Sequence, residues 1–182
     1  MKVQSVFLWL LGTLLTLSSG QNLGLQRCLI SVDMRLLERS FQEIKRTLQS
    51  QDVLQNVTIL STLESLQGIK PVDVCCVTRN LLAFYMNKVF RDHQEPNLQI
   101  RRQISSIANS FLHTQKTLQQ CAQRWCHCSE EATNATRSIW DNYNQLEVRA
   151  AAIKSLGELD IFLAWISKNH QGTSHVRHQV PA

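Results

Sequence analysis

Six cysteines, Cys28, Cys75, Cys76, Cys121, Cys126 and Cys128, are the residues whose type and spacing can do most chemistry in this chain. Two chemistries compete for them. As thiolates, Cys75, Cys76, Cys126 and Cys128 with His127 are the right residue types for zinc, but zinc ligands usually come as C-x(2–4)-C rather than as CC and C-x-C. As disulfides, six cysteines allow 15 pairings. Bonding Cys75 to Cys76, or Cys126 to Cys128, closes a very small ring at poor geometry. The CC pair and the C-x-C pair therefore look outward, and most of the pairings stay open. Compartment decides between thiolate and disulfide.

The N-terminal residues point to an oxidising compartment. Lys2 is a positive n-region, the run from Val6 to Leu17 is apolar and of signal-peptide length, and Ser18, Ser19 and Gly20 supply small residues for cleavage. The expected organisation is a signal peptide at 1–20, with cleavage after Gly24 as a second option, followed by one domain at 21–182. The apolar run is shorter than the ~20 residues that span a bilayer. Secretion to the extracellular space is the expectation, and it favours disulfides over zinc. It also gives weight to two N-x-[ST] sequons, Asn56-Val57-Thr58 and Asn134-Ala135-Thr136, as N-glycosylation acceptors. Asn56 lies in a polar connection, and Asn134 falls off the apolar stripe of its helix.

Other chemistry is thin. There is no G-x-S-x-G, no H-E-x-x-H and no Gly-rich phosphate loop. None of the six histidines is paired in sequence with a plausible nucleophile, and His175 and His178 sit in a segment without helical period. No catalytic residue, metal or cofactor is expected, and the chain is not expected to be an enzyme. The net charge of +5, from 19 basic and 14 acidic residues, is spread without a block of like charge, which argues against a nucleic-acid surface.

The elements that position these groups read as helices throughout. Met34, Leu37, Phe41, Ile44 and Leu48 are spaced 3-4-3-4, one stripe of a helix, with Ser31 as its N-cap and Asp33 in its first turn. Ser61 to Glu64 reads as a capping box for a short helix stopped by Gly68 and Pro71. A third helix begins near Pro71 or Asp73 and carries Val77, Leu81, Phe84 and then Lys88 or Val89. Asp92 to Asn97 breaks it. A fourth carries Ile104, Ile107, Phe111 and Leu118. A fifth starts at Ser129-Glu130-Glu131, with Ala132, Ala135, Ile139, Tyr143 and Leu146 on one side. The last carries Ile153, Leu156, Leu159, Leu163 and Ile166 and closes near His170, leaving 171–182 as a flexible tail. Trp140 and Trp165 fall beside stripes as packing residues, and His113 as a boundary residue. With 43% hydrophobic residues, 3 Pro and 6 Gly, the expectation is an all-α, compact bundle of about six or seven helices. Such a chain acts by presenting a rigid surface to another protein. The rival reading is a secreted helical carrier of a lipid or other hydrophobic ligand, which needs a sizeable apolar cavity.

The stretch from Lys70 through Cys75-Cys76, Leu81-Leu82 and Phe84-Tyr85 to Lys88-Val89 resembles the signature of the interleukin-10 cytokine family. Cysteine at both 75 and 76 is similar to the interleukin-20 subgroup, and the segments CLISVDMR, CHCSEEATNATR and AAIKSLGELDIFLAWISKNH extend the likeness along the chain.

The resemblance implies a helical cytokine bundle stapled by three disulfides, Cys28–Cys121, Cys75–Cys126 and Cys76–Cys128. It implies a secreted cytokine that binds and brings together the two chains of the interleukin-20 receptor, alpha and beta, a heterodimeric class II cytokine receptor, to trigger JAK–STAT signalling. One implied receptor face uses Arg35, Arg39 and Gln42. The other uses Asp52, Gln55, Lys154 and Glu158; for each of these seven residues the alternative is an ordinary solvated helix or loop residue. The subgroup also implies a monomer.

Overall fold

The computed structural model of the chain describes residues 33–54, 56–60, 66 and 68–170, with the backbone alone at 121–125. The expected signal peptide, Cys28, Ser31, Gln55, the capping box at Ser61 to Glu64 and the tail 171–182 lie outside these residues.

Periodic apolar stripes become α-helices throughout: α1 Met34–Gln51, α2 Val74–Phe84, α3 Phe90–Asp92, α4 Leu98–Trp125, α5 Glu130–Asn144, α6 Val148–Gly157 and α7 Leu159–His170. No strand occurs among the described residues. The stripe of α1 is buried as spaced, at Met34, Leu37, Phe41, Ile44 and Leu48. Its N-cap is Asp33, whose carboxylate accepts from Leu36 N at 3.1 Å and so satisfies an orphan N–H of the first turn. α1 packs on α4, α6 and α7, and α2 packs on α4, α5 and α7. Asn97 caps α4 by accepting from Gln99 N and Ile100 N, and Ser129 caps α5 by accepting from Ala132 N.

Three departures from the periodic reading have physical causes. The ambiguity between Lys88 and Val89 marks a π-helical turn, Tyr85–Val89, joining α2 to α3. One extra residue per turn lets both Phe84 and Tyr85 face the core, buries Val89 and leaves Lys88 half-buried. On α5 the buried position is Thr136 rather than Ala135, because its hydroxyl donates back to the carbonyls of Ala132 and Thr133 and needs no outside partner. The expected last helix is two helices, broken at Glu158, whose side chain is turned into the protein.

Aromatic rings fill the centre. Tyr85 stacks on Phe162 with centroids 5.6 Å apart, and Phe111 meets both edge-on. Phe84 contacts Tyr143 and the half-buried Trp140, while Trp165 donates to Leu66 O. Tyr85 also donates from its hydroxyl to Ser155 O at 2.9 Å, tying the π turn to α6. His113 is exposed rather than at the boundary, and the gap in the α4 stripe is filled by buried Thr114.

Candidate functional site

Arg35, Arg39 and Gln42 recur at i, i+4 and i+7 on α1, which puts them on one face, and all three are exposed. Below Gln42 that face continues into a shallow polar groove lined by Gln42, Glu43, Lys45, Arg46 and Gln49. Lys45 crosses to α7 and pairs with Asp160 at 2.6 Å.

The second predicted face is built differently from the expectation. Lys154 is 7% exposed and Glu158 is 9% exposed, so neither is a solvated helix residue. Lys154 Nζ donates to Asp52 Oδ2 at 2.8 Å and to Leu54 O at 2.7 Å. Glu158 Oε2 accepts from Leu60 N at 2.7 Å and from Ile59 N at 3.0 Å, and its other oxygen lies 4.0 Å from Lys154 Nζ. Isolated burial of either charge would be costly, and the pair persists because loop backbone and Asp52 satisfy both. The physical consequence is a clamp: Lys154 of α6 and Glu158 just after it fix the connection after α1 at two places, Asp52–Leu54 and Ile59–Leu60. Asp52 is half-buried in this clamp. Burial pushes the Glu158 carboxyl above its ordinary range; the Leu60 and Ile59 N–H groups and Lys154 oppose that, and Asp52 adds to it.

Held by the clamp, Val53 stands 79% exposed between Asp52 and Leu54. It gave no signal in the sequence, since a lone valine in a polar connection has no period. Asn56 is exposed in the same connection, and Asn134 is exposed on α5. Both asparagines are therefore open to solvent, as a glycan requires.

The cysteine corner contains two disulfides, Cys75–Cys126 and Cys76–Cys128, with Cα atoms 5.4 and 5.5 Å apart. These four sulfurs are not available as thiolates, which removes the zinc reading of this cluster. Asp73, expected only as a helix start, is buried and accepts from Ser129 N at 2.7 Å and Ser129 Oγ at 2.9 Å, so one carboxylate ties the start of α2 to the start of α5. Cys28 lies outside the described residues, and the partner of Cys121 is not described.

No group of three or more His, Cys, Asp or Glu gathers as a metal site among the described residues. Two depressions there are open to solvent: the polar groove on α1, and one between α2 and α5 lined by Asn80, Ala83, Thr133, Thr136, Arg137 and Trp140. Neither is the enclosed apolar cavity a lipid carrier needs. No described helix is long and apolar enough to cross a membrane. What the arrangement can do is present fixed side chains to a protein.

The family model described as Interleukin 10 matches residues 16–170. The chain is 72% identical to human interleukin-19 over 172 residues, covering 94% of this chain and 97% of that one. It is 63% identical to mouse interleukin-19, covering 95% and 98% of the two chains. To mouse interleukin-20 it is 40% identical, covering 84% and 87%. Among solved structures, the crystal structure of human interleukin-19 matches with a TM-score of 0.75 at 73% identity, covering 81% of this chain and 95% of that one.

Proposed function

From the premise that the chain belongs to the interleukin-10 family of cytokines, and is a cytokine and not an enzyme, we propose that it is secreted. We propose further that it brings together the alpha and beta chains of the interleukin-20 receptor to trigger JAK–STAT signalling. The observation that supports this most is the clamped connection after α1. Asp52, Leu54, Ile59 and Leu60 are held by Lys154 and Glu158, which turns a surface loop into a surface of fixed shape beside α1. A ligand that must hold two receptor chains at a set distance benefits from such pre-organisation, because less ordering is left to be done on binding.

On this reading the expected contact residues divide the work. Arg35, Arg39 and Gln42 meet one receptor chain directly from the exposed face of α1. At the second face Val53 and the loop meet the other chain, while Lys154 and Glu158 act from beneath as positioning residues. Gln55 belongs to the same connection. Proximity is the mechanism: two receptor chains held together let their attached kinases phosphorylate one another.

Secretion uses the leader at 1–20, with cleavage after Gly20 or Gly24, and leaves one domain at 21–182. Cys28–Cys121 is the third disulfide, Asn56 and Asn134 carry glycans, and the active species is a monomer. Mixing the purified protein with the two receptor ectodomains tests the core of this reading. A complex of one cytokine with one copy of each ectodomain is expected by light scattering. Failure to bind either ectodomain at micromolar concentration would reject it.

A further inference from the structure

His93 follows the last residue of α3, in the connection that leads into α4. Its side chain is 3% exposed, and that of Glu95 is 2% exposed. The two approach to 3.4 Å between Nε2 and Oε2, close enough for charge attraction but not aligned as a hydrogen bond. Neither ring nitrogen, nor that carboxylate oxygen, has a hydrogen-bond partner among the described residues. Buried polar atoms are nearly always paired, so three unpaired ones side by side call for an explanation.

The other oxygen of Glu95 is committed. Oε1 accepts from Asn97 N at 2.9 Å, and Asn97 Oδ1 in turn caps α4 through Gln99 N and Ile100 N. A short relay therefore runs from the imidazole through Glu95 and Asn97 to the first turn of α4. Charged and titratable groups surround it on every packed element. Asp92 precedes His93 and accepts from the Tyr143 hydroxyl of α5 at 3.0 Å. Lys88 of the π turn lies 3.4 Å from the same carboxylate, and Arg91 contacts its other oxygen. Arg149, at the start of α6, adds positive potential near the ring, and Glu147 caps that helix. Burial holds the imidazole below its ordinary value; Glu95 opposes this, and Arg149 reinforces it.

We propose that His93 is an acid-operated release for the joint between α3, α4 and α6, opening it over the pH range of an endosome. At neutral pH the ring is neutral, and its burial without hydrogen-bond partners is tolerated. A proton places a positive charge in that buried position, where the potential of Arg149 opposes it. To pair with it, Glu95 must turn, and turning lifts Oε1 from Asn97 N and loosens the start of α4. Either outcome favours the open joint. The sign follows from linkage: below the ordinary value of ~6.5, the open state binds a proton that the closed state refuses, so opening becomes up to about tenfold more favourable per pH unit until the buried ring itself titrates. Histidine switches in this range are the usual means by which proteins respond to acidification.

Two NMR measurements on the oxidised protein test this. The His93 imidazole, assigned by its loss in His93→Gln, is expected to titrate below 6.5. Amide exchange, corrected for its intrinsic pH dependence, is expected to lose protection several-fold at 93–100 and 148–151 between pH 7 and pH 5.5, with 104–118 unchanged. In His93→Gln that loss should vanish. The same loss in His93→Gln, or an imidazole titrating at 6.5 or above, overturns the proposal. If His93→Gln does not fold, the ring is assigned by its coupling to its own backbone, and the wild type decides: protection at 93–100 and 148–151 unchanged between pH 7 and pH 5.5 overturns the proposal.

Discussion

Glu158→Ala should destabilise the protein far more than an acidic residue on an amphipathic helix has any right to. The substitution removes the acceptor for Ile59 N and Leu60 N, both on fully buried residues. Each stranded buried donor costs about 1–3 kcal/mol, so a loss of about 2–5 kcal/mol is expected once partial relaxation is allowed. That is a large share of the ~5–15 kcal/mol that holds a domain together. Glu158→Gln keeps a carbonyl oxygen in place and loses only a charge whose burial already pushes its carboxyl upward, so it should stay within about 1 kcal/mol of wild type. Urea unfolding is the assay; with slopes of about 1–3 kcal/mol/M, Glu158→Ala should lower the midpoint by roughly 1–3 M. The pH dependence has a defined sign. A carboxyl with a raised native pKa takes up its proton in the folded state first. Wild-type stability should therefore rise relative to Glu158→Gln as pH falls from the native value towards the ordinary 4.5, then stay level. Equal midpoints for Glu158→Ala and Glu158→Gln would refute the clamp.

Other consequences follow from single contacts. Replacing Cys75, Cys76, Cys126 and Cys128 together by alanine should cost about 2–5 kcal/mol in urea unfolding under oxidising conditions, because the two bridges close nearly the same loop, of 51 and 52 positions, and either one alone would still hold it. Tyr85→Phe strips the donor from the buried Ser155 carbonyl and should cost about 1–3 kcal/mol, with little change in core volume. Protein from mammalian cells should lose mass in two steps as Asn56→Gln and Asn134→Gln are introduced, with stability moving by no more than ~0.5 kcal/mol, since both positions face solvent; unchanged mass in the double variant would contradict it.

Which features could be read from sequence follows from what periodicity encodes. Burial of one helix face repeats every three or four residues, so Met34 to Leu48 and Ile104 to Leu118 declared both their helices and their inner faces. Periodicity is silent about a charged residue turned inward. Lys154 and Glu158 sit four apart, the spacing of an ordinary exposed helix pair, and only the loop backbone brought against them reveals their burial. The break between α6 and α7 directly follows Gly157, a helix-stop residue that the continuous apolar stripe on either side masks. The π turn left a trace, in that neither Lys88 nor Val89 fitted the stripe alone, because one added residue shifts the register mid-helix. Spacing limited the cysteine pairings without choosing among them, since which sulfurs meet depends on how α2 and the segment after α4 are folded together.

On the proposed function, the protein signals by holding two receptor chains together. The most direct test of this is STAT phosphorylation in four matched cell lines that carry both interleukin-20 receptor chains, either one alone, or neither, treated with the purified mature protein. A response confined to the line with both chains is predicted. A full response in a line lacking either chain would contradict the account.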